Sequence, residues 1–347
     1  MTLVVNLTAV TTTRLLKASF LFVALLLIGC QPSAESVHWQ GGVMGTRYHI
    51  TITSDQPIAP TLEAEVAAQL QALDQRFTTY SDSSELMALN RQPVGVPLEV
   101  SAELYTVLVE AAEIYQLSDG AFDPTVGPLV ELWGFGRAAS SDQLPPAEAI
   151  ERALAAVGFH HLQLLGDRRV QLNAPVAIDL SAIAKGYAVD RIAELLEANA
   201  LNDYMVEVGG ELRLAGRNAS GSRWRIAVES PLQFGQVERV LSLTDTALAT
   251  SGDYHNYFEV DGVRYSHTID PRSGWPVPRE LLSVTVLDAQ SVRADALATA
   301  ISVLGVERGL ALAEQLELPV YLLSLQQGEL KAHASSAFVP YLHTTQD

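Results

Sequence analysis

The chain has 347 residues, 48% of them hydrophobic and 18% charged, with a formal net charge of −18. So acidic a surface repels nucleic-acid phosphates and anionic headgroups, and an anionic ligand would need a local device such as a metal ion or a helix N-terminus. The length and apolar content suffice for a large core, and the single cysteine, Cys30, excludes an intramolecular disulfide.

Taken in order, the chain opens with Arg14 and Lys17 ahead of an apolar run from Phe20 to Ile28, too short for a comfortable membrane span. The run ends in Leu27-Ile28-Gly29-Cys30, which matches a bacterial lipobox. Residues 1–29 are therefore expected to be a lipoprotein signal peptide, residues 30–40 the acylated cysteine and a tether, and residues 41–345 the folded domain. Cleavage before Cys30 removes two basic and no acidic side chains, so −18 becomes −20. Several acyl chains on Cys30 would hold the protein stably at a membrane, where one would be marginal.

Tyr48 to Thr53 alternates as a strand does. From Thr61, the spacing of Leu62, Val66, Leu70, Leu73 and Phe77 predicts a helix. A second helix is predicted from Ser101, with Leu104, Leu108, Ala111 and Tyr115 inward, stopped by Ser118-Asp119-Gly120. Tyr80, between them, reads as a boundary aromatic or a stacking surface. Ala121-Phe122-Asp123-Pro124-Thr125 and Trp133-Gly134-Phe135-Gly136 mix prolines, glycines and aromatics, which suits irregular backbone, either a buried connection or a wall for a planar ligand. A polar loop over residues 138–147, a helix from Ala147 to Val157 and a hairpin turning at Gly166-Asp167 follow.

Val176 to Ile178 then reads as a short strand ending at Asp179, followed by a tight turn and a helix start at Ala184-Lys185-Gly186. Helix starts present unpaired N–H groups and attract anions, although a capped helix with an exposed lysine fits the local pattern equally well. Beyond it, Tyr204 to Val208 is a strand ending in Gly209-Gly210. Further strands are expected at 223–228 and 238–243, and a hairpin at Asp261-Gly262. His267 falls on a strand-like segment turning at Asp270-Pro271. Ala294, Leu297, Ile301 and Leu304 mark a last helix, whose other face carries Asp295 and Thr299 four residues apart. That spacing sets a carboxylate beside a hydroxyl, both hard oxygen donors suited to Mg²⁺, or simply an exposed polar face. Walker A, dinucleotide-binding G-x-G-x-x-G, H-E-x-x-H, paired C-x-x-C and G-x-S-x-G motifs do not occur, which weighs against the enzyme classes built on them.

Seven stretches in this order resemble the ApbE family of bacterial flavin transferases. They are Met44-Gly45-Thr46, Ala121 to Thr125 with Trp133 to Gly136, Asp179-Leu180-Ser181 with Lys185-Gly186-Tyr187, Val208-Gly209-Gly210-Glu211, Thr250-Ser251-Gly252, His267 to Pro271, and Asp295-Ala296 with Thr299. The resemblance implies an α+β fold with mixed sheets and packed helices. It implies Mg²⁺-dependent transfer of FMN from FAD to a Thr or Ser hydroxyl of a target flavoprotein subunit, with release of AMP. FAD contacts would fall at Met44, Tyr80, Ala121, Phe122, Asp123, Asp179, Lys185 and Ile269. Mg²⁺ would be held by Asp295, Thr299 and the backbone carbonyl of Ala182, and His267 would activate the incoming hydroxyl, with Asp270 as its candidate orienter. Some relatives carry an acidic residue where this chain has Lys185. Targets in the family include subunits of sodium-pumping NADH:quinone oxidoreductase and Rnf-type complexes, which implies an inner-membrane lipoprotein facing the periplasm, while Gln31 directly after Cys30 leaves sorting to the outer membrane open. A Mg²⁺-dependent FAD pyrophosphatase and a non-enzymatic FAD-binding lipoprotein are the competing readings.

Overall fold

Apolar alternation builds the central sheet, starting with the hairpin of β1 (Glu35–Val43) and β2 (Thr46–Ser54), paired antiparallel from Val43↔Thr46 outward. Its two-residue turn, Met44-Gly45, has positive φ at both positions (50° and 70°), as a tight primed hairpin turn requires. The computed structural model describes residues 35–137, 143–233, 235–252 and 257–342. The expected signal peptide, Cys30, part of the 138–147 loop and the residues just after Gly252 lie outside them. β1 begins inside the stretch expected to be a tether, because Trp39 is buried and pairs opposite Ile50.

α1 (Leu62–Phe77) buries the five predicted apolar residues, each contributing about 1.5–3 kcal/mol by leaving water. α2 (Glu85–Asn90), which periodicity did not predict, is capped by Ser84 Oγ accepting from the Met87 amide at 3.0 Å. After β3 (Leu98–Glu99), α3 (Ala102–Leu117) starts where predicted, with Ser101 Oγ accepting from the Leu104 amide. α4 (Gly127–Leu132), α5 (Ala147–Leu154), β4 (Leu162–Leu164) and β5 (Arg169–Leu172) lead to α6 (Ala184–Ala198). β6 (Tyr204–Val208), β7 (Glu211–Ala215), β8 (Trp224–Glu229), β9 (Val237–Leu243), β10 (Thr246–Gly252), β11 (Tyr257–Val260), β12 (Val263–Ser266) and β13 (Leu281–Asp288) follow. The chain closes with α7 (Ser291–Gln315), β14 (Val320–Gln326), β15 (Glu329–Ala334) and α8 (Val339–Leu342).

Eight strands form one sheet in the order β1-β2-β6-β7-β10-β13-β14-β15, with each neighbour antiparallel. Alternate residues of its central strands feed two layers. Val284, Val286, Val320 and Leu322 face the core shared with α1, α3, α6 and α7, while Leu287, Tyr321 and Leu323 face the β8–β9 hairpin and Phe338. The fold is thus α+β, with α1, α3, α6 and α7 on one side of an antiparallel sheet and the β8–β9 hairpin with α8 on the other. α7 is long and apolar enough to span a bilayer by length and composition, but half of that stretch is buried here as core.

The strand expected at Val176–Ile178 does not form. Its place is taken by a single parallel bridge, Val126↔Ala177. A side chain substitutes for a neighbouring strand: Asn90 Nδ2 donates to the Ile178 carbonyl at 2.9 Å, and Asn90 Oδ1 accepts from the Ile178 amide at 2.8 Å. The next amide, Asp179, donates to the Pro124 carbonyl at 2.7 Å. These bonds splice the segment to the 121–127 loop rather than to a sheet.

Candidate active site

The loops that precede α4 and α6, the glycine turn after β6, the end of β10 and the segment after β12 converge on a cavity of about 580 Å³. Tyr80, Ala121, Phe122, Asp123, Asp179, Ala182, Lys185, His267, Ile269, Asp295 and Thr299 all line it. The sequence spreads these eleven residues over more than 200 positions, and the fold brings them to one chamber. Met44 is not among its lining residues. It sits half-buried in the β1–β2 turn, where its amide donates to Asp74 Oδ2 at 3.1 Å.

The chamber is anchored where α6 crosses α7. Gly186 in the first turn of α6 donates its amide proton to Asp295 Oδ2 at 3.0 Å. The Gly186 amide is among the first four of the helix, which have no intrahelical acceptor, and Asp295 supplies one from α7. The crossing needs glycine: a Cβ at position 186 would lie 2.3 Å from the Ser291 carbonyl oxygen and 2.8 Å from Asp295 Cβ. One turn along α6, buried Asp190 accepts from the amides of Ser291 (3.0 Å) and Val292 (2.9 Å), so it caps the start of α7. Burial raises Asp190's pKa, and those two amides together with Arg213, 3.1 Å away, pull against the rise. Helix α6 therefore fixes both the height and the rotation of α7, and with them Asp295 and Thr299.

Lys185 extends into the same corner. Its Nζ lies 3.3 Å from Glu211 Oε1, 3.4 Å from the Ser181 carbonyl and 3.8 Å from Asp295 Oδ1. Glu211 is only 4% exposed, and its second oxygen, Oε2, is buried without a hydrogen-bond partner. Burial pushes the Glu211 carboxyl up to about 8 against the pull of Lys185. Asp295 is likewise raised by burial, with Lys185 and the Gly186 amide opposing. For Lys185, burial favours the neutral form, but Asp295 and Glu211 outweigh it and raise its pKa. The resemblance implied an FAD contact at this lysine; its contacts within the protein are these two carboxylates and a carbonyl.

On the opposite wall, Asp123 ties the irregular 121–127 segment together. Its Oδ1 accepts from the amide (2.8 Å) and hydroxyl (2.6 Å) of Thr125, and its Oδ2 from the Phe159 amide (2.9 Å). Asp179 Oδ1 accepts from the Ser181 amide at 2.8 Å, closing the turn into α6. Tyr80 stands at the rim, 65% exposed, with a bare ring available for stacking. His267 lies just beyond β12 rather than on a strand, its ring edge-to-face with Phe135 at 6.3 Å. Behind it Trp133 stacks on Tyr265 and donates its indole N–H to the Gly274 carbonyl at 2.8 Å. Asp270, the candidate orienter of His267, is occupied otherwise. Its two oxygens receive Arg272 Nε and Nη2, both at 2.8 Å.

A match to the ApbE family model spans residues 44–322, from the first hairpin to the last core strand. The chain belongs to the ApbE family. It is 44% identical over 321 residues to the FAD:protein FMN transferase of Vibrio cholerae serotype O1, covering 92% of this chain and 96% of that protein. The corresponding protein of Haemophilus influenzae is 39% identical over 325 residues, covering 91% and 94%. Among solved structures, the Vibrio cholerae flavin transferase ApbE superimposes with a TM-score of 0.84 at 42% identity, covering 89% of this chain and all of that one. The apo flavinyl transferase ApbE of Pseudomonas stutzeri gives 0.82 at 35%, covering 90% and 98%.

Whether this ApbE-family chamber suits Mg²⁺ can be tested on its own donors. Asp123, Asp179, Glu211, Glu229 and Asp295 face a single ammonium, Lys185, among the described lining residues. A diphosphate entering that field needs added positive charge. The Asp295 carboxylate, the Thr299 hydroxyl and the Ala182 carbonyl, all on residues of the cavity wall, are hard oxygen donors. No cluster of three His, Cys, Asp or Glu side chains forms a cage among the described residues. One carboxylate with neutral oxygens, leaving room for water and phosphate, is the usual Mg²⁺ arrangement, so the donors fit. Sequence reading missed Glu211 and Asp190 as parts of this site. Glu211 lay within a stretch that resembled the family and Asp190 three residues beyond one, but burial and partners, which decide their roles, have no local signature.

Proposed function

We propose that the chain transfers the FMN half of FAD to a Thr or Ser hydroxyl of a protein acceptor, in a Mg²⁺-dependent reaction that releases AMP. The observation that carries this reading is the meeting of Asp295, Thr299 and the Ala182 carbonyl with His267 in one acidic chamber. The relatives' shared name, FAD:protein FMN transferase, supports it independently.

The acceptor hydroxyl attacks the FMN-side phosphorus as the bond to the AMP phosphate breaks. His267 takes the hydroxyl proton; imidazole is the side chain best suited by its chemistry to act as a base near neutral pH. Mg²⁺ held by Asp295, Thr299 and Ala182 would neutralise the diphosphate and favour the departure of AMP. Tyr80 and Phe122 supply ring surface for the flavin or adenine, and Asp123 and Asp179 shape the loops that receive it. The walls of the chamber would hold the reacting atoms in line.

The test mixes the full chain with FAD, Mg²⁺ and a candidate flavoprotein subunit and measures covalent FMN adduct and AMP. Adduct with equimolar AMP is expected. AMP with free FMN would establish the pyrophosphatase instead, and FAD binding without AMP the storage protein. Asp295→Ala should abolish turnover, and His267→Ala should leave FAD binding largely intact while transfer collapses.

The acceptor is proposed to be a subunit of sodium-pumping NADH:quinone oxidoreductase or of an Rnf-type complex, reached from an inner-membrane anchor on the periplasmic side. What supports the anchor is the lipobox ending at Cys30, outside the described residues. Cys30→Ala should abolish lipid labelling; persistent labelling would refute the anchor.

A further inference from the structure

One corner of the chamber holds a charge arrangement that flavin transfer as described above does not use. Asp295 presents two oxygens with different neighbours. Oδ2 is taken by the Gly186 amide, while Oδ1 has the Lys185 ammonium 3.8 Å away. A divalent ion bound through the free oxygen would therefore meet a positive charge already in place. Two like charges this close repel strongly in a buried site, so both cannot lean on Asp295 at once.

Glu211 offers the way out. Its Oε1 already contacts Lys185 at 3.3 Å, and its Oε2 is buried, unpartnered and part of the same cavity wall. An unsatisfied buried carboxylate oxygen is costly, and a second ammonium bond would relieve it. Gly209 leaves room for the lysine stem: a Cβ there would lie 3.3 Å from Lys185 Cδ. Both acceptors lie within reach of the one ammonium, at 3.3 and 3.8 Å.

We propose that Lys185 is a resident counter-ion of the metal site: its ammonium neutralises Asp295 when no divalent ion is bound and withdraws onto Glu211 when one enters. Lys185 and Glu211 are thus positioning residues that set how tightly the site takes Mg²⁺ and keep Asp295 ordered without it. The inference rests on Asp295 being the metal carboxylate.

The experiment titrates Mg²⁺ into the metal-free full chain by calorimetry, with no FAD and no acceptor, and records melting temperature at each point. Lys185→Met should lower the melting temperature without metal, because two buried carboxylates lose their cation, and should bind Mg²⁺ roughly tenfold tighter, because the competing charge is gone. Glu211→Gln should bind Mg²⁺ several-fold more weakly, because Asp295 is then the only carboxylate beside the ammonium. In the Lys185→Met background, Glu211→Gln should change affinity less than about twofold, since Glu211 acts through the lysine. If Lys185→Met folds poorly without metal, Lys185→Gln is the second variant, with the same expected tightening.

Unchanged or weaker Mg²⁺ binding in the lysine variants overturns the proposal, as does a full Glu211→Gln effect without the lysine, which would make Glu211 a direct ligand. A wild type that binds no Mg²⁺ overturns it too. Because no flavin is present, normal Mg²⁺ binding with these variant effects and no FMN transfer would defeat the proposed activity alone and leave this inference standing.

Discussion

The amide of Gly186 donates to the carboxylate of Asp295 across the crossing of α6 and α7. A single bond thereby satisfies an orphan amide at the start of α6 and orients the candidate metal carboxylate. The bond exists only because the two helices touch where one has no side chain.

Gly186→Ala should disrupt that contact. The new Cβ meets backbone at the Ser291 carbonyl, which cannot swing aside as a side-chain tip would. A stability loss of about 1–3 kcal/mol by urea unfolding is expected from the forced separation. Mg²⁺ affinity should fall roughly tenfold, as for other groups that orient a ligand. An alanine variant with wild-type stability and affinity would show that the crossing is slack.

Asp190→Ala removes the acceptor for the Ser291 and Val292 amides and leaves Arg213 with only Glu197. Loss of the cap and of a buried partner should cost about 2–4 kcal/mol. Hydrogen exchange at the first turn of α7 reports it directly: those amides should lose protection well before the β13 amides do.

Trp133→Phe keeps most of the aromatic stack but deprives the Gly274 carbonyl of its donor. We expect a loss of about 1–2 kcal/mol in chemical denaturation. The Asp270–Trp275 turn beyond His267, closed by the Asp270 amide on the Trp275 carbonyl, should become protease-sensitive. No change in cleavage would mean that the turn holds without the indole.

Asp123 supplies a pH signature. Burial raises its pKa, and the bonds from Thr125 and Phe159 only partly oppose this. The folded state therefore holds this proton more tightly than the unfolded chain, where the group titrates at about 3.9. This contribution is fully favourable below the unfolded value, declines as pH rises to the folded one, and is flat above it. Unfolding free energies of wild type and Asp123→Asn from pH 3 upward should show wild type losing ground to the variant. Wild type gaining over that interval would contradict the burial effect.

Local pattern was enough for α1 and α3, whose apolar spacing and serine cap at Ser101 survive intact, and for the hairpins at Asp167 and Asp261. These elements depend on neighbours within a few residues. The ordered motifs also identified the family, and eleven of the twelve proposed cavity residues reached the cavity. The strand expected at Val176–Ile178 failed because its partner is the side chain of Asn90, far away in sequence. The pairing of both Asp270 oxygens with Arg272 was likewise not read from the sequence.

Sequence by itself determined which chemical groups this protein owns: the Asp295 and Thr299 pair, the histidine, and the glycines at the turns. Tertiary structure alone decided how they are charged and aimed. Lys185 sits between Glu211 and Asp295 because α6, β7 and α7 meet there. Glu211 is raised to about 8 because that meeting excludes water. Desolvation and Coulomb attraction depend on distances across the fold, and no spacing along the chain encodes them.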